Sequence, residues 1–396
     1  MKRKTSSKKC FFLILIVSIF FSIHISGASE NTSRPININK DITRGIEFLY
    51  DWEFDQAENI FQKVIARNQK DPIGYFYSAM VTFARLASGF WTPEVVQEYG
   101  ERIDRAISVA RKKIEIEEAD SFTYLYLGGA LGFKGRFQLM QRKWFSSFFL
   151  ALDAIEALKT SLKMAPDNRE VLFGLGIFDY YTAKLSGASK LLTYLLIHRG
   201  NIEEGLRKLH IASHEAIYAS IEAKSLLIHI YLFLERDHYK ALPFARELAR
   251  RFTNDPRNKY LEGVAYILSG MEPEYKEVVN YFHKRSLKKS PSCKSYIWIR
   301  RALYLEASYF LFHDQCDMAR SKLDTILSHT DPERDPLMMA WPLVKKGMSY
   351  DLEGRREKAL EYYKSILEMK NGAGAQFLAE KYIDKPAEKG DPFLGL

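Results

Sequence analysis

His210 and His214 are four residues apart, so on a helix they share one face, as two imidazoles holding one metal ion must. A zinc hydrolase of that pattern carries Glu directly after the first His. Here that residue is Ile211, and no third ligand is evident. The pair reads as a solvated helix face, and no metal is expected. Glu115, Glu117, Glu118 and Asp120 form a carboxylate run. Such a run suits a hydrated surface better than the unequal environments that split two carboxyls into acid and base. Gly128 and Gly129 lie inside a helical apolar pattern, as close-packing glycines should, and do not make a phosphate-cradling loop. No Gly-x-Ser-x-Gly elbow occurs. The sequence is therefore expected to encode a non-catalytic protein without a cofactor.

Thiol chemistry gives the same answer. Residues 295–312 read as one helix, which at about 1.5 Å per residue spans roughly 27 Å. Cys293 and Cys316 flank it, far beyond the roughly 7 Å a disulfide tolerates, so both are expected to be free.

The 396 residues carry 58 Lys and Arg against 49 Asp and Glu, a formal charge of +9, and 47% are hydrophobic, which excludes intrinsic disorder. Much of the basicity is an address label. Lys2, Arg3, Lys4, Lys8 and Lys9 precede an apolar run over residues 10–25, which leads to Ser26, Gly27 and Ala28. Positive flank, short apolar core and small residues make residues 1–28 a Sec-type signal peptide, cut after Ala28. The run falls short of the roughly 20 apolar residues of a spanning helix; left uncut, it would be a membrane anchor. Cleavage leaves 53 basic residues against 49 acidic ones, a net +4, too weak and too interspersed to call for nucleic acid. The protein is expected to be periplasmic or secreted, with residues 29–40 as a polar, flexible leader.

Beyond the leader, helix-period apolar patterns run almost throughout, broken by short turns, with no alternating strand series. The clearest unit holds Leu343, Gly347, Tyr350, Gly354, Ala359 and Tyr363, with 12 residues from Gly347 to Ala359. Gly45 to Ala57, Ala307 to Ala319 and His229 to Ala241 repeat that step, and Gly263 to Val278 is three residues longer. Asp71 with Pro72, Pro166 with Asp167 and Asn168, Asp255 with Pro256 and Asp331 with Pro332 mark the turns. This pattern resembles the tetratricopeptide repeat, a pair of antiparallel helices in which small residues at the two crossing points let the helices approach. The stretch Gly174, Leu175, Gly176, Ile177, Phe178, Asp179, Tyr180, Tyr181 also resembles a segment of uncharacterised exported bacterial proteins of that kind. The resemblance implies an all-α fold, a right-handed α-α superhelix of about eight hairpins over residues 41–372, followed by a capping helix and tail over 373–396.

Three central units, over about residues 73–212, are elongated. The step is 27 from Ala79 to Ala106, 26 from Gly128 to Ala154 and 29 from Gly176 to Gly205. The added stretches are apolar: Phe90 and Trp91 in the first, Trp144, Phe145, Phe148 and Phe149 in the second, Leu191, Leu192, Leu195 and Leu196 in the third. They form either a packed sub-core of longer helices or an apolar lobe, with Trp91, Trp144, Phe148, Leu192 and Leu196 as its candidate residues.

A stacked repeat offers an extended concave face built from the same positions of each first helix. In the repeat register these fall on Phe173, Tyr180, Arg257, Tyr260, Arg301, Tyr304, Trp341 and Val344. Arg with an aromatic neighbour is common at binding hot spots. The expected function is therefore a non-catalytic scaffold of the cell envelope that binds a protein or extended peptide in this groove. A lipid-binding or peripheral membrane module using the elongated units is the alternative, and an envelope enzyme the third reading.

Overall fold

The computed structural model describes residues 36–89, 91–184, 200–287, 295–331 and 335–396. The signal segment, Phe90, Leu191, Leu192, Leu195, Leu196 and Cys293 lie outside the described residues. Among the described residues the chain forms seventeen α-helices and no strand. They are α1 (Ile36–Tyr50), α2 (Phe54–Arg67), α3 (Pro72–Ala87), α4 (Pro93–Glu115), α5 (Ser121–Met140), α6 (Trp144–Met164), α7 (Val171–Lys184), α8 (Ile202–Glu215), α9 (Ser220–His229), α10 (His238–Arg251), α11 (Pro256–Leu268), α12 (Glu272–Ser286), α13 (Ser295–Phe312), α14 (Cys316–Ser328), α15 (Pro336–Leu352), α16 (Arg356–Glu368) and α17 (Ala375–Asp384). A 3-10 turn follows at Pro392–Gly395. No helix among the described residues is long and apolar enough to cross a membrane.

The turn residues named above act as caps. Asp71 accepts from the Ile73 amide at 3.0 Å and Asp255 from the Arg257 amide at 2.8 Å, and Pro72 and Pro256 each open a helix. Asp120 and Thr123 form a reciprocal capping box on α5. The start of α15 differs: it is capped by Asp335 and begins at Pro336, and Pro332 lies outside the described residues. The leader also differs from the sequence expectation, because α1 begins at Ile36 and its first turns take up residues 36–40. Pro35 sits just before that start, a place a proline tolerates, and nothing in the next five residues breaks a helix.

The chain divides into two compact units. The first comprises, among the described residues, 69–76 and 103–219. Its core gathers Ala151, Ile155, Leu158, Val171, Leu175 and Phe178. Here the small-residue pairs read from the sequence do meet. A Cβ added at Gly128 would lie 2.9 Å from the Ala154 carbonyl oxygen, and one at Gly176 would lie 3.0 Å from that of Gly205. The elongation is built as helix: α5 has 20 residues and α6 has 21. The added length stays zipped, since the Ser147 hydroxyl donates to the Gly135 carbonyl at 2.8 Å and a Cβ at Gly135 would lie 3.3 Å from the Ser147 carbonyl.

The second unit comprises, among the described residues, 36–68, 77–89, 91–102, 220–287, 295–331 and 335–396. Gly45 on α1 faces Phe61 on α2, Gly263 on α11 faces Val278 on α12 and Leu305 on α13, and Gly347 on α15 faces Tyr363 on α16. Where the small residue is replaced by His229, α9 passes directly into a π-helical turn, Ile230–Leu234, of which Ile230, Tyr231, Leu232 and Phe233 are buried.

Candidate functional site

In the second unit α11, α13 and α15 are the first helices of three successive hairpins. Their inward residues converge on one place. Tyr260 and Tyr304 stand with ring centres 5.7 Å apart, Arg301 lies over the Tyr260 ring at 5.9 Å, and the Lys345 ammonium lies over the Tyr304 ring at 4.4 Å. Tyr260, Tyr304 and Lys345 are buried. Ser308 links them, receiving from Lys345 at 2.6 Å and lying 3.1 Å from the Tyr260 hydroxyl. Burial holds the Lys345 ammonium well below its usual range, lowers Arg301 and raises both tyrosines.

The space these residues face is filled by residues 391–396 of the same chain. Three successive main-chain oxygens each receive one donor, and each donor comes from a different helix. Lys345 Nζ donates to the Leu394 oxygen at 2.5 Å, the Tyr260 hydroxyl to that of Gly395 at 2.7 Å and the Tyr304 hydroxyl to that of Leu396 at 3.0 Å. Side-chain pockets complete the seat. Leu394 is fully buried, Phe393 stacks on Phe233 of the π-turn at 6.3 Å, and Lys381 covers the other ring contact at 4.2 Å. A Cβ at Gly395 would come within 2.7 Å of Val264, so that position admits only glycine without a shift.

Polar anchors pin the chain upstream of this segment and at the segment's own first residue, Asp391. Asp351, whose side chain is fully buried, accepts from the Ala387 amide at 3.0 Å, the Tyr363 hydroxyl at 2.9 Å and Arg356 at 3.0 Å. Asp391 accepts from the Tyr382 hydroxyl at 3.0 Å and caps the 3-10 turn through the Phe393 amide.

The other groove candidates are placed differently. Arg257 pairs with buried Asp255 at 2.7 Å and lies over Trp52 at 5.9 Å. Trp341 donates through its indole to the Ala373 carbonyl at 3.2 Å, beyond the cluster. Val344 is buried. Phe173 and Tyr180 belong to the first unit, where Phe173 is half-buried and Tyr180 is buried edge-on to Tyr181 at 5.1 Å. Lys345 and Ser308, central to the arrangement, were not among the sequence candidates. Nothing in the sequence sets Lys345, beside Val344, apart from a lysine whose charge reaches water.

Of the lobe candidates, Trp91 is buried in the second unit, and Trp144 and Phe148 are half-buried in the first. Their neighbours on α6 are open, with Phe145 85% and Phe149 60% exposed beside exposed Arg142 and Lys143. The His210 and His214 rings stack 6.4 Å apart, and among the described residues no group of three or more His, Cys, Asp or Glu could hold a metal ion. Cys316 is a buried free thiol.

No protein family model matches the chain. A TPR repeat-containing protein of Methanocaldococcus jannaschii is 24% identical over 170 residues, which cover 42% of this chain and 24% of that protein, so the chain spans about a quarter of its relative's length. Among solved structures, an IFIT1 monomeric mutant with Gppp-AAAA has a TM-score of 0.40 at 13% identity, over 78% of this chain and 66% of that one. The P58(IPK) TPR domain has a TM-score of 0.22 at 14% identity, over 88% and 90%. What decides the fold is internal: hairpins that repeat one small-residue crossing, in a chain with sequence similarity to a TPR repeat-containing protein, make this an all-α protein of tetratricopeptide-repeat-like fold.

Proposed function

We propose that the chain is a non-catalytic scaffold of the cell envelope that binds an extended peptide or an extended segment of a partner protein. One observation carries this reading: the α11–α13–α15 groove gives three hydrogen-bond donors to three consecutive main-chain oxygens of a chain segment. Donors to the main chain give a peptide site its affinity, and pockets for side chains give it specificity. Export is supported by the basic, then apolar, then small-residue order of residues 1–28.

The test is capture of envelope proteins by the full chain and by an Arg301→Gln, Tyr304→Phe variant. Tyr304 is buried, so truncation to Ala would cost about 3–5 kcal/mol of stability and confuse the result, whereas Phe removes only the donor. Loss of a defined envelope partner at unchanged melting supports the groove. Identical capture by both proteins sinks it, and so does selective retention of Gppp-AAAA RNA, the ligand in the IFIT1 structure, in a parallel binding assay.

A second reading is favoured by Phe145 and Phe149, which expose aromatic surface next to Arg142 and Lys143 as an interfacial anchor does. Flotation with anionic liposomes that is abolished by Phe145→Asp with Phe149→Asp would support it. Absence of flotation removes it.

A further inference from the structure

We propose that residues 391–396 are a resident, displaceable occupant of the α11–α13–α15 groove, so that a partner peptide binds by exchange with the chain's own segment. The inference rests on the peptide-binding reading of that groove and adds its regulation and the chemistry of the ligand.

Three features separate this segment from an ordinary piece of core. Its regular structure is a single 3-10 turn, Pro392–Gly395, so little local structure holds it in place. It is tethered through Glu388, Lys389 and Gly390, all exposed, and Gly390 takes the left-handed conformation at φ 71°, which gives the chain a pivot. Its oxygens are held by side chains rather than by a neighbouring helix or strand.

The same contacts forbid simple opening. Without the segment, buried Lys345 would keep Ser308 but lose the Leu394 oxygen, and Tyr304 would lose the Leu396 oxygen. Buried donors stripped of acceptors are costly, so the favoured path replaces one set of carbonyls with another. This fixes the partner's chemistry. It presents three main-chain oxygens in sequence, a small residue where Gly395 meets Val264, a large apolar residue before it, and an aromatic ring to stack on Phe233. An aromatic–apolar–glycine–apolar segment that can take up a 3-10 turn fits, and the chain's own Phe393, Leu394, Gly395 and Leu396 are its template.

The experiment uses the full chain and a labelled synthetic peptide with the sequence of residues 389–396, read by fluorescence anisotropy. Leu394→Asp places a charge at a fully buried position and unseats the segment, which is checked by faster tryptic cleavage after Lys389. The variant is expected to bind the peptide at least ten-fold more tightly than wild type, and Tyr304→Phe in that background is expected to reverse part of the gain. Phe393→Ala loses only the ring contacts and covers the case in which the charged variant fails to fold. It is expected to give a smaller gain. A released segment with no gain in peptide binding overturns the proposal and makes residues 391–396 permanent core. If the full chain still captures an envelope partner in that case, it does so at another surface, and the scaffold reading stands without this groove. If neither assay shows binding, both fail.

Discussion

Helix-interior glycines in this chain are of two kinds, and the distinction is a matter of which atoms stand opposite. A Cβ at Gly347 would sit 2.4 Å from the Tyr363 ring, whereas one at Gly100 would meet nothing within 4 Å. Gly347→Ala is therefore expected to cost about 1–3 kcal/mol through overpacking, and Gly100→Ala to gain about 0.5–1 kcal/mol through lost backbone entropy in the unfolded chain. Opposite shifts in urea midpoint check this; shifts of the same sign refute the crossing-point role of Gly347. That role was legible, because the 12-residue step to Ala359 picks Gly347 out. Lys345 was not legible, since a lysine at an inward position is indistinguishable in sequence from one whose stem lies flat and whose charge reaches water. Its burial has a consequence for pH. The folded pKa lies below the unfolded value of about 10.4, so between the two the unfolded chain binds more protons and stability rises with pH. Wild type should gain stability relative to Lys345→Met as pH rises towards the unfolded value of about 10. A difference that stays flat in urea titrations over that rise would contradict the buried ammonium.

At the scale of elements, the crossing points were legible and the polar joints between hairpins were not. Glu170 is a case. It is buried ahead of α7, and its carboxylate accepts from the Ile217 amide at 2.6 Å, the Tyr218 amide at 3.1 Å and the Ala219 amide at 2.8 Å. It thereby fixes the turn that leads into α9, 47 residues away in sequence. Burial pushes its pKa up and the three amides oppose that. A carboxylate with such distant backbone partners leaves no periodic trace, so reading along the chain passes over it. Glu170→Ala is expected to destabilise by about 2–4 kcal/mol, because three amides lose their acceptor. Amide exchange at Ile217, Tyr218 and Ala219 should accelerate more than exchange across α5. Uniform acceleration would mean that Glu170 supports the unit as a whole rather than this joint. The elongated helices were legible as added length, and their packing as Gly135 against Ser147 follows from the small residues available. The outward turn of Phe145 and Phe149 was not legible, because one apolar run supplies both the packed and the open face.

At the scale of the whole molecule, the sequence suggests a linear array, and the second unit departs from that by joining distant segments. The α1–α2 turn reaches residues some 200 positions later. Asp51 accepts from the Asn254 amide at 2.9 Å and from its side chain at 2.8 Å, Glu47 pairs with Arg251, Tyr50 donates to Glu222, and Trp52 lies against Arg257. Repeat periodicity reports neighbours in a stack and says nothing of contacts that skip over intervening hairpins, so Arg257 was assigned to an open groove when it is held by Asp255 and Trp52. The consequence is thermodynamic. A purely nearest-neighbour array would let α1 and α2 open without disturbing α10 and α11, whereas this contact couples them. Asp51→Ala and Asn254→Ala in a double-mutant cycle should therefore show a coupling energy on the order of 1 kcal/mol, and either change alone should speed amide exchange in both α2 and α11. A coupling near zero, with exchange altered only in the mutated hairpin, would return the chain to the linear array that its repeats describe. The coupling matters for binding as well, because Asp51 holds Asn254 just ahead of α11 and Trp52 holds Arg257 in its first turn, and the same helix supplies Tyr260 to the groove.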